Sequence, residues 1–459
     1  MSKSFREYQP EQRLLLPPSL EEWLPEGHLA RFLSDVVSEL DLQEIYAGYE
    51  GDGRGLAAYH PQMMMKLLLY GYCVGKASSR KIEQMTYEEV AMRYLAADQH
   101  PDHDTIAEFR RRHLAALARL FGQVLRLCMK AGLVQLRHVA VDGTKMRANA
   151  SRYKGWTYER MEEEQRQLEE EMAEWLRHCQ EVDQAEDAAY GKGCRGDELP
   201  PELREAQKRL TRIRELKQEL EREAREAAEK KKAQAEKRVA ERRAEEERRG
   251  RRLGGRQPRV PDVEQAKPKP SAQRNLTDPE SRIMKDGATN SFQQSYNAQI
   301  AADGNGQIIV AARVTPAEHD REQLLPNLQE VEHHVGRKPQ QVSADCGYYD
   351  PDHLGDEYLK DIALYLPPVP EPRAGEKASR WARNGPLLER LREQSQRPEA
   401  QAVYRLRQGI VEPIFGQIKQ CRGFRQFLLR GLQKVESEWR IICATHNLLK
   451  LYRYGTSSG

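Results

Sequence analysis

Residues 137–151, RHVAVDGTKMRANAS, constrain the fold more than any other stretch of the chain. Val139 and Val141 are β-branched and flank Ala140, so residues 138–141 read as a short buried strand. The run ends on Asp142, a residue type disfavoured inside strands, and Gly143, Thr144, Lys145, Arg147 and Asn149 come directly after it. Two readings stand side by side: Asp142-Gly143 as a turn dipeptide, or a carboxylate offered among cations at a strand end. Either way the strand needs partners, and the sequence after it does not supply them. The chain leaves the core here and returns to it only much later.

The next hundred or so residues are charged and helical in pattern. Tyr158, Met161, Gln165, Leu168, Met172, Trp175, Cys179 and Val182 recur in steps of three and four, the spacing of a heptad seam. GKGCRGDELPP breaks the run, and Leu203, Ala206, Leu210, Ile213, Leu220, Ala224 and Ala227 begin a second one that continues to Arg249. This pattern predicts an inserted antiparallel coiled-coil hairpin over residues 157–250. It accounts for a composition of 39% apolar and 32% charged residues in 459, which is polar for a compact globule. Residues 251–276 carry Gly, Pro and many cations and read as a flexible basic linker, serving as a spacer, a DNA-phosphate contact or a dimer arm.

Residues 1–133 read as all-helical. Ser19 with Glu22, and Thr105 with Glu108, have the spacing of capping boxes, and Pro61 opens an apolar helix. Arg and Lys cluster near the short helices, as in Ser78-Ser79-Arg80-Lys81 and Arg110-Arg111-Arg112. A DNA-binding helical domain and a bundle with a solvated basic face both fit. The net charge is only +3, so a nucleic-acid role must rest on local patches. Seven scattered cysteines form no CxxC pair, so neither a zinc ribbon nor a disulfide framework is indicated, and a reducing cytoplasm is the simplest reading. The N-terminus lacks a signal-peptide core, and residues 63–74 are too short to span a bilayer and contain Lys66. A soluble cytoplasmic protein is expected.

The α/β pattern resumes at residues 291–302, SFQQSYNAQIAA, a strand joined by Asp303-Gly304-Asn305-Gly306 to a partner at 307–314. A helix through Leu324, Leu325, Leu328 and Val331 leads to a second short strand, residues 341–344, that also ends on an Asp, Asp345, ahead of Cys346-Gly347. Residues 362–366 read as one more strand. Near the end stands Glu412, with Pro413 behind it and Lys419 seven residues on, close to two helical turns and so on one face. Pro413 in a first turn or at a kink would hold Glu412 at a helix start.

VDGTK around Asp142, ADCGYYD around Asp345 and VEPIFGQIK around Glu412, taken in order, resemble the DDE transposases of bacterial insertion sequences. DPESRIMK, SYNAQIAAD, CATHNLLKLYR and the N-terminal LPPSLEEWLPEGHLARFL and PDHDTIAEFRRRH extend the resemblance over nearly the whole chain. It implies an α/β RNase H-like catalytic core, a mixed sheet flanked by helices, behind an all-α N-terminal domain. The layout is then a DNA-binding domain at 1–133, core at 134–156 and 277–459, and the insertion and linker between. It also implies that Asp142, Asp345 and Glu412 are catalytic and hold two Mg²⁺ or Mn²⁺. Lys419 would contact DNA phosphate, with Lys145, Arg147, Tyr404, Arg405 and Arg407 as further DNA candidates. The family often leaves three residues between its Arg and its Glu; here four separate Arg407 from Glu412, which leaves Arg405 an equal candidate.

The chemistry suits the residue types. Phosphodiester cleavage adds negative charge to a phosphate, and two hard cations held by carboxylates can stabilise attacking and leaving oxygens. Water would free a 3′-OH at the element end, and that 3′-OH would attack target DNA, both as in-line displacements. The partners implied are double-stranded DNA, at the terminal inverted repeats and the target, and a second copy of the chain when assembled on DNA. Two other readings remain: an RNase H-like nuclease that cuts without joining, and a DNA-binding scaffold whose catalytic centre is lost.

Overall fold

The computed structural model describes residues 19–49, 57–190, 201–252, 254–255, 257–287, 290–350, 354–367 and 386–457. The predicted break GKGCRGDELPP lies mostly outside them, as do residues 1–18, and the side chains of Cys179, Val182 and Leu203 are likewise not described. The chain divides into two compact units, Met1–Met146 with Tyr296–Gly459, and Arg147–Ser295.

The first unit opens with helices α1 (Leu29–Glu39), α2 (Gln43–Ala47), α3 (Pro61–Cys73), α4 (Ser79–Glu88), α5 (Val90–Leu95), α6 (His103–Arg112) and α7 (Leu114–Lys130). The all-helical N-terminal expectation holds, with different caps. Glu22 N–H reaches Ser19 Oγ at 3.3 Å inside a turn, and the first helix starts later, where His28 Nδ1 accepts from Ala30 N–H. Asp102, not Thr105, caps α6: its Oδ1 accepts the Thr105 N–H at 2.6 Å. Glu108 turns outward to pair with Arg111.

The sheet of this unit is built from β1 (His138–Arg147), β5 (Phe292–Asp303), β6 (Ile309–Thr315), β7 (Gln341–Ser343) and β8 (Ala363–Tyr365), in the order β6-β5-β1-β7-β8. β6 runs antiparallel to β5, whereas β1, β7 and β8 are mutually parallel along the path. Helices α10 (Leu324–Val335), α11 (Pro386–Gln396), α12 (Pro398–Gly416) and α13 (Leu432–Ser457) complete the unit. α10 and α13 both pack on β6, and α13 also packs on α7 and α3. β6 is accordingly apolar on both faces, and Val310, Ala311 and Ala312 are fully buried. Its edge is closed by a side chain: Asn447 of α13 accepts from Ile309 N–H at 2.9 Å and donates to Ile309 O at 2.8 Å, as a neighbouring strand would. Mixed sheet and flanking helices agree with the RNase H-like expectation.

The second unit corrects the predicted coiled-coil insertion. Its hairpin is a pair of strands: β2 (Gly155–Thr157) lies antiparallel to β3 (Gln273–Asn275), with Trp156 opposite Arg274. Helices α8 (Tyr158–Tyr190) and α9 (Pro201–Arg249) pack around a cluster of Trp156, Met161, Leu168, Leu210, Ile213, Leu216 and Leu220, bordered by Ala272 and Leu276 beside β3. A step of three and four is the period of any helix face packed against a partner, and Trp156 of β2 is part of the cluster that these faces bury. Arg160 of α8 and Arg209 of α9 both lie over its ring, with guanidinium carbons 4.5 and 5.1 Å from the centroid. β3 falls in the stretch read as linker. β4 (Arg282–Lys285) then pairs antiparallel with the opening residues of β5.

Candidate active site

Register brings the two aspartates together. Ala140 of β1 stands opposite Ser343 of β7 in parallel alignment, and His138 Nε2 meets Ser343 Oγ at 2.8 Å. Two residues further along each strand come Asp142 and Asp345, so both carboxylates emerge at the C-terminal edge of the sheet. β1 does not stop at Asp142 as the sequence suggested, and no turn forms there. The strand continues to Arg147, and the Asp142 carboxylate finds its partners in place, Gly143 N–H at 2.8 Å and Arg407 Nη2 at 3.0 Å. Asp345 caps a single 3₁₀ turn, Cys346–Tyr348, accepting from Gly347 N–H at 2.8 Å.

Arg407 reaches the pair from α12. It shares a buried face with Val411 and Ile414 at helical spacing, and only 9% of its side chain is exposed. Its Nη2 also lies 4.0 Å from Asp345 Oδ2, so one guanidinium nitrogen faces both carboxylates. Burial pushes the Asp142 carboxyl up to about 6; Arg407 and the Gly143 N–H pull against that, and Asp345 and Asp320 push it further up. Asp345 is raised for the same first reason, with Asp320 again adding to it.

Asp320 is the residue that sequence reasoning missed. It lies between β6 and α10, and its Oδ1 accepts from Asn297 Nδ2 and Gln299 Nε2, each at 2.6 Å. Lys145 Nζ is 3.8 Å away and also donates to Glu318 O at 2.5 Å. A signal was available: Ser295, Asn297 and Gln299 alternate along β5 and so line one face, and a polar face on a buried strand calls for polar company. The glycines beside the aspartates answer to this crowding. A Cβ on Gly143 would meet Gln299 Nε2, Asp320 Oδ1 at 2.8 Å and Asn297 Oδ1 at 2.9 Å. A Cβ on Gly347 would lie 2.9 Å from Asp345 Oδ1.

Glu412 sits differently from the expectation. It is in the last turns of α12, not at a helix start, because Pro398 opens that helix and Pro413 lies inside it. Its side chain is exposed, with no hydrogen bond or ion pair among the described residues. A π turn, Gln417–Cys421, comes next. From it Lys419 Nζ donates to Thr144 Oγ1 at 2.5 Å and Lys145 O at 2.8 Å, beside Asp142. Tyr404 is half-buried, with the Arg407 guanidinium carbon 5.9 Å from its ring centre. Arg405 and Arg147 are exposed.

Asp142 and Asp345 suit a hard divalent cation in donor type and in proximity, since a cation would relieve the desolvation and repulsion that raise both carboxyls. Among the described residues, however, no group of three or more His, Cys, Asp or Glu is gathered to hold a metal. The third carboxylate is apart, and a guanidinium faces the first two.

Two family models match the chain. Transposase domain (DUF772) matches residues 18–112, and Transposase DDE domain matches residues 376–452. The second segment holds Tyr404, Arg407, Glu412 and Lys419 but begins after Asp345. No curated protein and no solved structure matches. Among the described residues, no helix is long and apolar enough to cross a membrane.

Proposed function

We propose, from the premise that the chain is a DDE-type transposase by its two matched segments, that it cuts DNA at the ends of an insertion sequence and joins the freed 3′-OH to target DNA. Nuclease-type enzymatic activity and a DNA partner follow from the family; strand transfer is the finer claim. The observation that carries it is the placement of Asp142 and Asp345 side by side on adjacent parallel strands, facing one guanidinium.

Asp142, Asp345 and Glu412 would hold two Mg²⁺ or Mn²⁺, which when bound stabilise the attacking and leaving oxygens of a phosphodiester. The rest falls to the protein's own side chains. Lys419, pinned beside Asp142 by two neutral oxygens, presents its ammonium to a DNA phosphate near the scissile bond. Lys145 adds positive charge on the same strand, and Arg147, Arg405, Arg407 and Tyr404 extend the contacts to the backbone. Asn297 and Gln299 hold Asp320, so the acidic centre keeps its shape without substrate. Residues 1–133 serve as the DNA-binding domain, and two copies assemble on paired ends.

The test uses the full chain with Mn²⁺ and DNA carrying the element's terminal inverted repeats. Asp142→Asn, Asp345→Asn and Glu412→Gln are each expected to abolish nicking and joining while leaving DNA binding intact. Activity surviving any one of them refutes the assignment of that residue. Cutting without joining of pre-cut ends would favour the nuclease reading instead.

A further inference from the structure

Arg407 occupies an unusual position. Its side chain is more than nine-tenths buried, it faces two carboxylates rather than solvent, and its Nε donor is buried without a partner. A buried donor left unpaired is a cost, so ion pairing with the aspartates, not a full set of hydrogen bonds, holds the guanidinium here. Ile410, Val411 and Ile414 are buried on the same helix, and the long, flexible Arg side chain has the reach to leave the pair. Tyr404, on the same helix, offers its half-buried ring beside the guanidinium.

From these observations, and resting on the functional reading above, we infer that Arg407 is a built-in counter-ion that competes with divalent cations for Asp142 and Asp345. The positive charge neutralises the pair while the protein is free and opposes entry of a second cation. A DNA backbone offers the guanidinium a row of permanently charged phosphates outside the pair, each able to take two of its N–H groups, and draws Arg407 away. Metal binding and DNA binding are then coupled, and by linkage each raises the affinity of the other. The device keeps a DNA-cutting centre low in metal until DNA is present.

The experiment is Mn²⁺ titration of the full chain, free and with a terminal-repeat duplex. Without DNA, Arg407→Gln is expected to bind Mn²⁺ about tenfold tighter than wild type, at the low end of what removing a unit charge from about 4 Å is worth. Arg407→Lys, which keeps the charge, should stay within about twofold. The duplex should tighten Mn²⁺ binding to wild type by about tenfold and leave Arg407→Gln unmoved. In chelator the Arg407→Gln protein should melt lower than wild type and recover with Mn²⁺. Equal or weaker Mn²⁺ binding by Arg407→Gln overturns the inference. A second readout needs only wild type: modification of Arg407 by phenylglyoxal, mapped by mass spectrometry, should be slow in chelator and faster at saturating Mn²⁺. An unchanged rate also overturns it. If the functional reading itself is wrong, Asp142→Asn and Asp345→Asn leave Mn²⁺ binding unaltered. If only the counter-ion role is wrong, those two variants lose Mn²⁺ while Arg407→Gln does not gain it.

Discussion

Gly143→Ala tests whether the crowded acidic centre is built as described. The new Cβ would lie 2.8 Å from Asp320 Oδ1 and 2.9 Å from Asn297 Oδ1, closer than a Cβ tolerates. Neither oxygen can yield freely. Asp320 Oδ1 holds two hydrogen bonds of 2.6 Å, and Asn297 and Gln299 are fully buried with no solvent to turn towards. Relief requires losing at least one hydrogen bond to a charged acceptor, about 1.5–3 kcal/mol, on top of about 1–3 kcal/mol of overpacking. The expected cost is therefore about 3–5 kcal/mol. Gly409→Ala supplies an opposite-signed control: it lies within α12 with nothing inside 4 Å of its Cβ, so it should stabilise by about 0.5–1 kcal/mol. Urea unfolding followed by Trp fluorescence measures both, with buried Trp439 as a local reporter because its Nε1 donates to Gln299 O at 3.0 Å. A Gly143→Ala protein within about 0.5 kcal/mol of wild type would refute the packing argument, since that is the scatter of inert surface changes.

Acid sensitivity is expected from His446, which is fully buried, donates from Nε2 to Gln307 O, leaves Nδ1 unpartnered, and is lowered from 6.5 to about 3, first by burial. The unfolded chain therefore takes up a proton below pH 6.5 that the folded chain refuses; this stability is present above 6.5 and is lost by about 1.4 kcal/mol per unit as pH falls, a slope that His446→Gln should reduce in denaturant titrations between pH 7 and 5. Trp156→Ala should cost the second unit about 3–5 kcal/mol, read as a fall in helix melting by circular dichroism, and a loss below 1 kcal/mol would mean that the helices do not pack on β2.

Much of the central sheet was legible because it is written locally. A small apolar strand that ends on an Asp, with a Gly one or two residues on, marks Asp142 and Asp345 alike, and Asp303-Gly304 marks the β5–β6 turn. The end of β1 was not legible. Asp is a poor strand residue in isolation, but Arg407, more than 260 positions downstream, and the Gly143 N–H supply its partners, so tertiary contacts override propensity. Asp320 was hidden because His319-Asp320 ahead of a helix reads as a cap, and its hydrogen-bond donors lie on another strand. Arg407 was named only as a DNA-contacting candidate, since burial of an Arg depends on carboxylates that adjacent sequence does not reveal. The insertion misled because a heptad step is also the period of any helix face packed against a partner, here a cluster that includes the strand residue Trp156.

The π turn explains why the last motif of the site resisted reading. Seven residues separate Glu412 from Lys419, and a regular helix would carry both on one face. Residues Gln417–Cys421 form a wider turn, and Lys419 lies inside it, off the regular helical spacing that runs to Gly416. Lys419 is thereby aimed at Thr144 and the Lys145 carbonyl, against β1, while Glu412 remains exposed on the α-helical side of the π turn. Arg407 belongs to that same α-helical stretch and points inward. One helix thus delivers an inward cation to the aspartates and an outward carboxylate away from them, and the π turn separates the lysine's orientation from both. A helix that carries opposite charges on opposite faces cannot bring both to the aspartates in a single orientation. The exposed position of Glu412 and the buried position of Arg407 are therefore two consequences of one helix setting, and whatever draws Arg407 outward removes the charge that now fills the pair.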